Sequence, residues 1–169
     1  RVRSKGADLN IIAPEKLFAP AVEVIKERLK ALQPGWIYRG EYLAKPKHNV
    51  LAYDRIPNNH IIIFDINTGH EEYLDYESKV EAAWALGFET VPRVYDGLVK
   101  DVTCFRTLLE TPSCLGGQKV EGLVVKNYAR FGIDKHVMMG KFVSEAFKET
   151  HRGEWRKENP TSGDILDRL

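Results

Sequence analysis

The spacing of hydrophobic positions along the chain predicts both helices and strands. Apolar residues recur at helical spacing in three segments, which are Leu17–Leu32, Tyr76–Leu86 and Asp101–Leu109. Alternating or continuously apolar runs predict five strands, at Trp36–Ala44, Ile61–Ile66, Phe88–Val91, Val120–Tyr128 and His136–Val143. Because the two kinds of element do not alternate regularly, the order favours an α+β fold of mostly antiparallel sheets flanked by helices.

The remaining segments predict connections and the two ends of a domain. Asn67–Gly69 is typical of a turn, and the polar, proline-containing stretch Lys45–Asn59 is typical of a connection. Arg1–Lys5 alternates as a strand does, and Ser144–Thr150 is typical of the start of a helix. We expect one core over residues 1–155 and the start of a C-terminal extension over 156–169. The chain opens inside a predicted strand and without a methionine. We therefore expect further residues to precede Arg1.

Composition narrows the class of protein without naming a function. Of 169 residues, 43% are hydrophobic and 29% are charged, which is ordinary for a globular protein. The longest apolar run, Ile61–Phe64, is far shorter than the ~20 residues of a membrane-spanning helix. The formal net charge is +1, so a nucleic-acid partner would need a local basic surface. Two isolated cysteines, Cys104 and Cys114, favour a reducing compartment, and we expect a cytoplasmic protein.

Two predicted strands carry residues that are suited to a nucleotide. Glu41 follows Gly40, and glycine inside a strand is typical of close approach by a ligand or by another backbone. Phe64 lies in the apolar strand before Asp65, and an aromatic ring there can stack on a base. Each residue also has a simpler interpretation: Glu41 as part of a solvated strand edge, and Phe64 as part of the core.

Two further predicted strands carry charges that are suited to phosphate and metal. Glu121 and Lys126 flank an apolar run, and Mg²⁺ is usually held by one or two carboxylates together with substrate phosphates. Being five residues apart, they point to opposite faces of an ideal strand. Lys141 interrupts another apolar run, and a half-buried lysine needs a partner such as phosphate. Surface charge for the first pair and extension into solvent for Lys141 are the simpler alternatives.

Taken in order, these segments resemble the RNA ligase family, and more closely its RNA ligase 2-like branch within the covalent nucleotidyltransferase superfamily. They read R-G-E, a basic K-P-K-H-N connection, I-I-I-F-D-I, E-G-L-V-V-K and a lysine-bearing strand, over about residues 1–155. The resemblance implies an ATP-dependent ligase that forms lysyl-AMP, transfers AMP to an RNA 5′-phosphate and then joins it to a 3′-hydroxyl. It implies Mg²⁺ or Mn²⁺ as the metal. We expect a monomer without membrane attachment.

The resemblance also implies roles for single residues. Glu41 would hold the ribose hydroxyls of AMP, Phe64 would stack on adenine, and Glu121 would bind metal and phosphate. Lys126 and Lys141 would neutralise phosphate charge. The family often has a second lysine two residues before the position of Lys141, and Met139 stands there in this sequence.

Two basic segments complete the predicted site. Arg3 or Lys5 would contact the ribose, because the family's Ser-Arg motif reads Arg3-Ser4-Lys5 here. Basic residues clustered in the Lys45–Asn59 connection are predicted to face RNA phosphates; they are Lys45, Lys47, His48 and Arg55.

The family's nucleophilic lysine lies in a K-x-D-G motif that does not occur in this sequence. We therefore expect the nucleophile upstream of Arg1 and no ligase activity from this chain alone. The alternatives are a DNA ligase or an mRNA capping guanylyltransferase, and a non-catalytic nucleotide- or RNA-binding module. The K-P-K-H-N connection and the F-D-I strand favour an RNA ligase over the other two enzymes. A nicked duplex, a single strand and a broken tRNA are all open as its RNA substrate.

Overall fold

The computed structural model describes residues 1–4, 6–48, 51–144 and 147. This part of the chain forms an α+β fold with antiparallel sheets, as predicted. Its helices are α1 (Ala19–Arg28), α2 (Tyr76–Ala85) and α3 (Val102–Leu108), with a short 3₁₀ helix at Asn58–His60. Its strands are β1 (Ile37–Tyr42), β2 (Lys47–His48), β3 (Leu51–Ala52), β4 (Ile61–Gly69), β5 (Glu72–Tyr73), β6 (Glu89–Thr90), β7 (Gly122–Phe131) and β8 (Val137–Val143).

Strand β4 organises the main sheet. It pairs antiparallel with β1 and β5 and parallel with β6. Its residues from Ile61 to Asn67 are buried except for the half-buried Phe64, which confirms the predicted buried strand. Strands β7 and β8 form a separate antiparallel hairpin, and β2 and β3 form a small ladder inside the predicted connection.

Helices α1 and α2 cover one face of the main sheet. The core joins Ala21 of α1, Ala83 of α2 and the following Leu86 and Phe88 to three isoleucines of β4, which are Ile61, Ile63 and Ile66.

Asp75 caps α2 by accepting a hydrogen bond from the Ser78 backbone at 2.8 Å. Helix α1 is shorter than predicted at both ends, because it begins at Ala19, with Pro20 in its first turn, and ends at Arg28. No helix in the described ranges is long and apolar enough to cross a membrane.

A β-bulge interrupts the pairing of β1 with β4. Arg39 pairs with Asp65 and Gly40 with Ile63, so Phe64 has no partner in β1. A Cβ at Gly40 would lie 2.8 Å from the Ile62 carbonyl oxygen, so the glycine accommodates a neighbouring backbone. The extra residue also shifts the alternation of β4. Core residues are odd-numbered before the bulge, and Ile66 takes the core position after it, which places Asp65 on the opposite face.

Two local predictions were wrong. Asn67–Gly69 continues β4, and the turn follows at His70 and Glu71, where Glu71 has a φ of 56°. The Glu71 carboxylate accepts a hydrogen bond from the Val137 backbone at 2.7 Å, a distant contact that stabilises this turn.

The predicted first strand is reduced to an isolated bridge between Arg3 and Asp8, because the chain turns between Ser4 and Ala7. The predicted helix at 144–150 lies largely outside the described residues.

Candidate functional site

The bulge in β4 is the centre of a buried polar cluster. Asp65 is 4% exposed, and its Oδ1 lies 2.7 Å from the ammonium of Lys126 on β7. The hydroxyl of Tyr128, also on β7, donates to the same oxygen at 2.5 Å. Because Lys126 and Tyr128 are two residues apart on one strand, both reach the same carboxylate. The cluster therefore joins the hairpin to the main sheet through one carboxylate oxygen.

Two lysines share the carbonyl oxygen of Phe64. Lys126 Nζ lies 2.9 Å from it, and Lys79 Nζ of α2 lies 3.2 Å from it. Lys126 Nζ is also 5.7 Å from the centroid of the Phe64 ring, within cation–π range. Phe64 is half-buried, so the residue lies at the border of the core beside the Lys126 ammonium.

The phenol of Tyr128 acts as a neutral donor in this cluster. Burial and the hydrogen bond to Asp65 raise its pKa well above the ordinary value of 10.0. Its ring stacks on that of Tyr73, with centroids 5.1 Å apart and planes 16° from parallel. The stack connects β5 to β7 next to Asp65.

A second phenol brings the two predicted carboxylates into one neighbourhood. Tyr53 donates to Oε1 of Glu121 at 2.6 Å. Burial and the Glu121 carboxylate raise the pKa of Tyr53 well above 10.0, and the charge of Glu41 contributes in the same direction. The Glu41 side chain itself is exposed on β1.

The two lysines predicted to contact phosphate lie on one face of the β7–β8 hairpin. Lys141 of β8 is exposed and pairs with Val124, whereas Lys126 pairs with Met139. Residues that are directly opposite in an antiparallel pair share a face, and Val124 and Lys126 are two apart. Glu121 precedes β7 and contacts Tyr53, so it meets a different part of the protein from Lys126.

The remaining predicted residues lie apart from this cluster or have other partners. Arg3 forms an ion pair with Asp8 at 2.9 Å, and Lys5 lies outside the described residues. Arg55 donates to both oxygens of Glu89, at 2.8 and 2.7 Å, and its guanidinium is held within the fold. Lys45 and Lys47 are exposed and form no ion pair within the described ranges, which do not include the side chain of His48.

Four residues of the site were missed by sequence reasoning, namely Tyr53, Asp65, Lys79 and Tyr128. Asp65 and Tyr128 had usable signals, because one follows Phe64 directly and the other is two residues beyond Lys126. Lys79 lies in a sequence typical of an amphipathic helix, where a lysine is expected in solvent. Tyr53 lies in the predicted connection, and only the fold brings it to Glu121.

The fold and the polar cluster around Asp65 together describe an α+β protein. Its aromatic and charged face is built on β4 and the β7–β8 hairpin. Residues 3–143 match the model of the RNA ligase family, described as RNA ligase. The chain therefore belongs to the RNA ligase family, which confirms the resemblance found in the sequence. No curated protein and no solved structure matches the chain.

Proposed function

We propose that the chain is the nucleotide-binding core of an ATP-dependent RNA ligase that joins a 5′-phosphate to a 3′-hydroxyl through lysyl-AMP and RNA-adenylate. Membership of the RNA ligase family supports ligase chemistry. The observation that carries the nucleotide proposal is the half-buried Phe64 ring beside Lys126, whose ammonium is fixed by Asp65. This arrangement offers a base a stacking surface and offers a phosphate a positive charge on one face.

Each part of an adenylate has a suitable group on this face. Phe64 stacks on the adenine, and the exposed carboxylate of Glu41 accepts hydrogen bonds from the ribose hydroxyls. Lys126 and Lys141, on one face of the hairpin, neutralise phosphate charge. In phosphoryl transfer, positioning and charge stabilisation supply most of the rate enhancement, so these residues need no covalent role.

Glu121 is the residue we propose to hold Mg²⁺ or Mn²⁺. No cluster of three or more metal-binding side chains occurs in the described part of the chain. A single carboxylate fits Mg²⁺, which is often bound by one or two carboxylates together with substrate phosphates. Tyr53 holds one oxygen of Glu121 and so orients the other. When bound, the metal supplies further neutralisation of phosphate charge.

Lys126 is not the residue that we propose as the nucleophile of the first step. In that step a neutral amine attacks the α-phosphorus of ATP, a phosphoramidate bond forms and pyrophosphate leaves. Lys126 Nζ is engaged by the Asp65 carboxylate at 2.7 Å and by the Phe64 carbonyl at 2.9 Å, and the K-x-D-G motif that carries the family's nucleophile does not occur in this sequence. We therefore propose that a K-x-D-G lysine outside this sequence forms the adduct. The RNA 5′-phosphate then displaces that lysine, and the 3′-hydroxyl displaces AMP.

The proposal is tested by titrating this chain with AMP, ATP, GTP and NAD in the presence of Mg²⁺. We expect adenine nucleotides to bind in preference to GTP. Phe64→Ala should lose this binding and Phe64→Leu should retain part of it, because leucine still covers the base with apolar surface. Phe131→Ala is the matched control, since Phe131 is an exposed phenylalanine at the end of β7.

Three results would contradict the proposal. Preferential binding of GTP would favour a capping guanylyltransferase, and binding of RNA without any nucleotide would favour a non-catalytic module. A loss of thermal stability in Phe64→Ala without loss of nucleotide affinity would place Phe64 in the core alone. Unfolding is therefore measured alongside the titration.

A further inference from the structure

Lys79 is a buried lysine without a carboxylate partner. It is 6% exposed, and it forms no ion pair within the described ranges. Its ammonium donates to the Phe64 carbonyl at 3.2 Å and lies 5.0 Å from the ring centroid of Tyr76. Burial, together with the positive charge of Lys126, lowers its pKa below the ordinary 10.5. Burying an ammonium costs free energy that an apolar side chain would avoid. A lysine at this buried position therefore needs a reason other than packing.

The carbonyl bound by Lys79 belongs to the bulged residue itself. A bulge disrupts the hydrogen-bond ladder at that residue, and Phe64 has no partner in β1. Its carbonyl receives Lys79 from α2 and Lys126 from β7. Helix α2 packs on the core face of the sheet, whereas Lys126 and Asp65 lie in the cluster that joins the sheet to the hairpin. The Phe64 peptide group is thus held by donors from two elements.

The orientation of this peptide group determines where the neighbouring side chains project. The Phe64 ring is attached on one side of the carbonyl, and Asp65 follows on the other. A change in the bulge would move the ring and the acid together, whereas two ammonium donors restrict the peptide group to one orientation. The bond from Lys79 is the contribution of the helix to that restriction.

We propose that Lys79 is a positioning residue that fixes the bulge at Phe64 and so orients the ring that stacks on the base. The identity of the base as adenine rests on the function proposed above, whereas the effect on the ring does not. Lys79 lies outside all the segments that carry the family resemblance and would act without touching the nucleotide.

The ring is observed directly by incorporating 4-fluorophenylalanine at the seven phenylalanines and recording ¹⁹F spectra of the nucleotide-free chain. Phe64→Leu identifies the Phe64 resonance. We expect Lys79→Met to shift or broaden that resonance and Lys79→Arg to restore it, because arginine keeps a charged donor. Lys119→Met is the matched control, since it removes an exposed ammonium paired with Glu110 and should leave the resonance unchanged.

AMP titration then connects the ring to binding. Loss of one hydrogen bond that positions the ring should weaken AMP binding in Lys79→Met by about three- to tenfold. Lys79→Arg should recover most of this loss, and Lys119→Met should bind as the wild type does.

The two measurements separate failure of this inference from failure of the proposed function. An unchanged Phe64 resonance in Lys79→Met, or an equal change in Lys119→Met, would overturn the positioning role at any AMP affinity. A shifted resonance in a chain whose wild type binds no AMP would support the positioning role and contradict nucleotide binding. If Lys79→Met does not fold, Lys79→Gln replaces it, because glutamine keeps a polar end but is too short to reach the carbonyl.

Discussion

At the scale of single residues, Asp65 is the acid that connects Lys126 and Tyr128 to the main sheet. Its carboxylate lies 2.7 Å from the Lys126 ammonium and 2.5 Å from the Tyr128 hydroxyl. The Lys126 side chain is only 17% exposed, so water cannot replace the lost partner if the acid is neutralised. The same acid fixes the position of the Lys126 ammonium beside the Phe64 ring.

Asp65→Asn should therefore destabilise the fold far more than the same change on the surface. The amide leaves Lys126 without a countercharge, and we expect a loss of about 1–3 kcal/mol in the free energy of unfolding. Asp8→Asn is the control, because Asp8 forms exposed ion pairs with Arg1 and Arg3. Urea unfolding measures the free energy of unfolding of both variants. Equal losses for Asp65→Asn and Asp8→Asn would contradict the coupling of Asp65 to Lys126 and Tyr128.

At the scale of secondary structure, the bulge and the hairpin explain which parts of the fold could be predicted. Tyr76–Leu86 was identified because its hydrophobic residues recur at helical spacing, and the β7 segment because it contains a continuous apolar run before Lys126. The bulge at Phe64 carries no local signal, since it depends on the register of β1 against β4. The turn was misplaced because Glu71 is held by Val137, 66 residues away. Motif order singled out Phe64, Glu121 and Lys126 as candidates, but not the partners supplied by distant elements.

Gly40 and Gly140 provide a paired test of the bulge. Gly40→Ala would place a Cβ 2.8 Å from the Ile62 carbonyl oxygen, whereas nothing lies within 4 Å of a Cβ at Gly140. Because backbone must shift in the first case, we expect Gly40→Ala to destabilise the chain by about 1–3 kcal/mol. Gly140→Ala should be neutral or slightly stabilising. Thermal unfolding of the two variants decides the matter, and similar stabilities would argue against the bulge.

The link between the β4–β5 turn and the hairpin should depend on pH. Glu71 raises the pKa of His136 above 6.5 through a contact of 3.0 Å, and Asp134 adds to the effect. A raised pKa means that the charged form stabilises the fold below pH 6.5 and that this contribution disappears as pH rises through the higher, folded-state pKa. The stability difference between wild type and His136→Gln should therefore shrink from pH 5.5 towards pH 9. A constant difference would mean that the pair makes no charge-dependent contribution.

At the scale of the whole molecule, a net charge of +1 conceals an uneven distribution of cations. Several basic side chains are used within the fold, including Arg55 with Glu89 and Lys126 with Asp65. Lys45 and Lys47, by contrast, are exposed and form no ion pair in the part of the chain that the structure describes. Among the described side chains of the basic connection, we therefore expect Lys45 and Lys47 to be the most available to RNA phosphates, because the guanidinium of Arg55 already pairs with Glu89.

Salt dependence of RNA binding tests this distribution. Each phosphate contact with a single strand contributes about 0.7 to the slope of log K against log salt concentration. The double variant Lys45→Gln and Lys47→Gln should lower the magnitude of that slope by about one to two for a 5′-phosphorylated RNA oligonucleotide. The control replaces Lys26 and Lys119 by glutamine, since both are paired with glutamates in the folded chain. These two double variants remove the same net charge, so a long-range effect of charge alone would change both slopes equally. A reduced slope only in the Lys45 and Lys47 variant would place RNA phosphate on the connection between β1 and β4, and equal slopes would return both lysines to solvent.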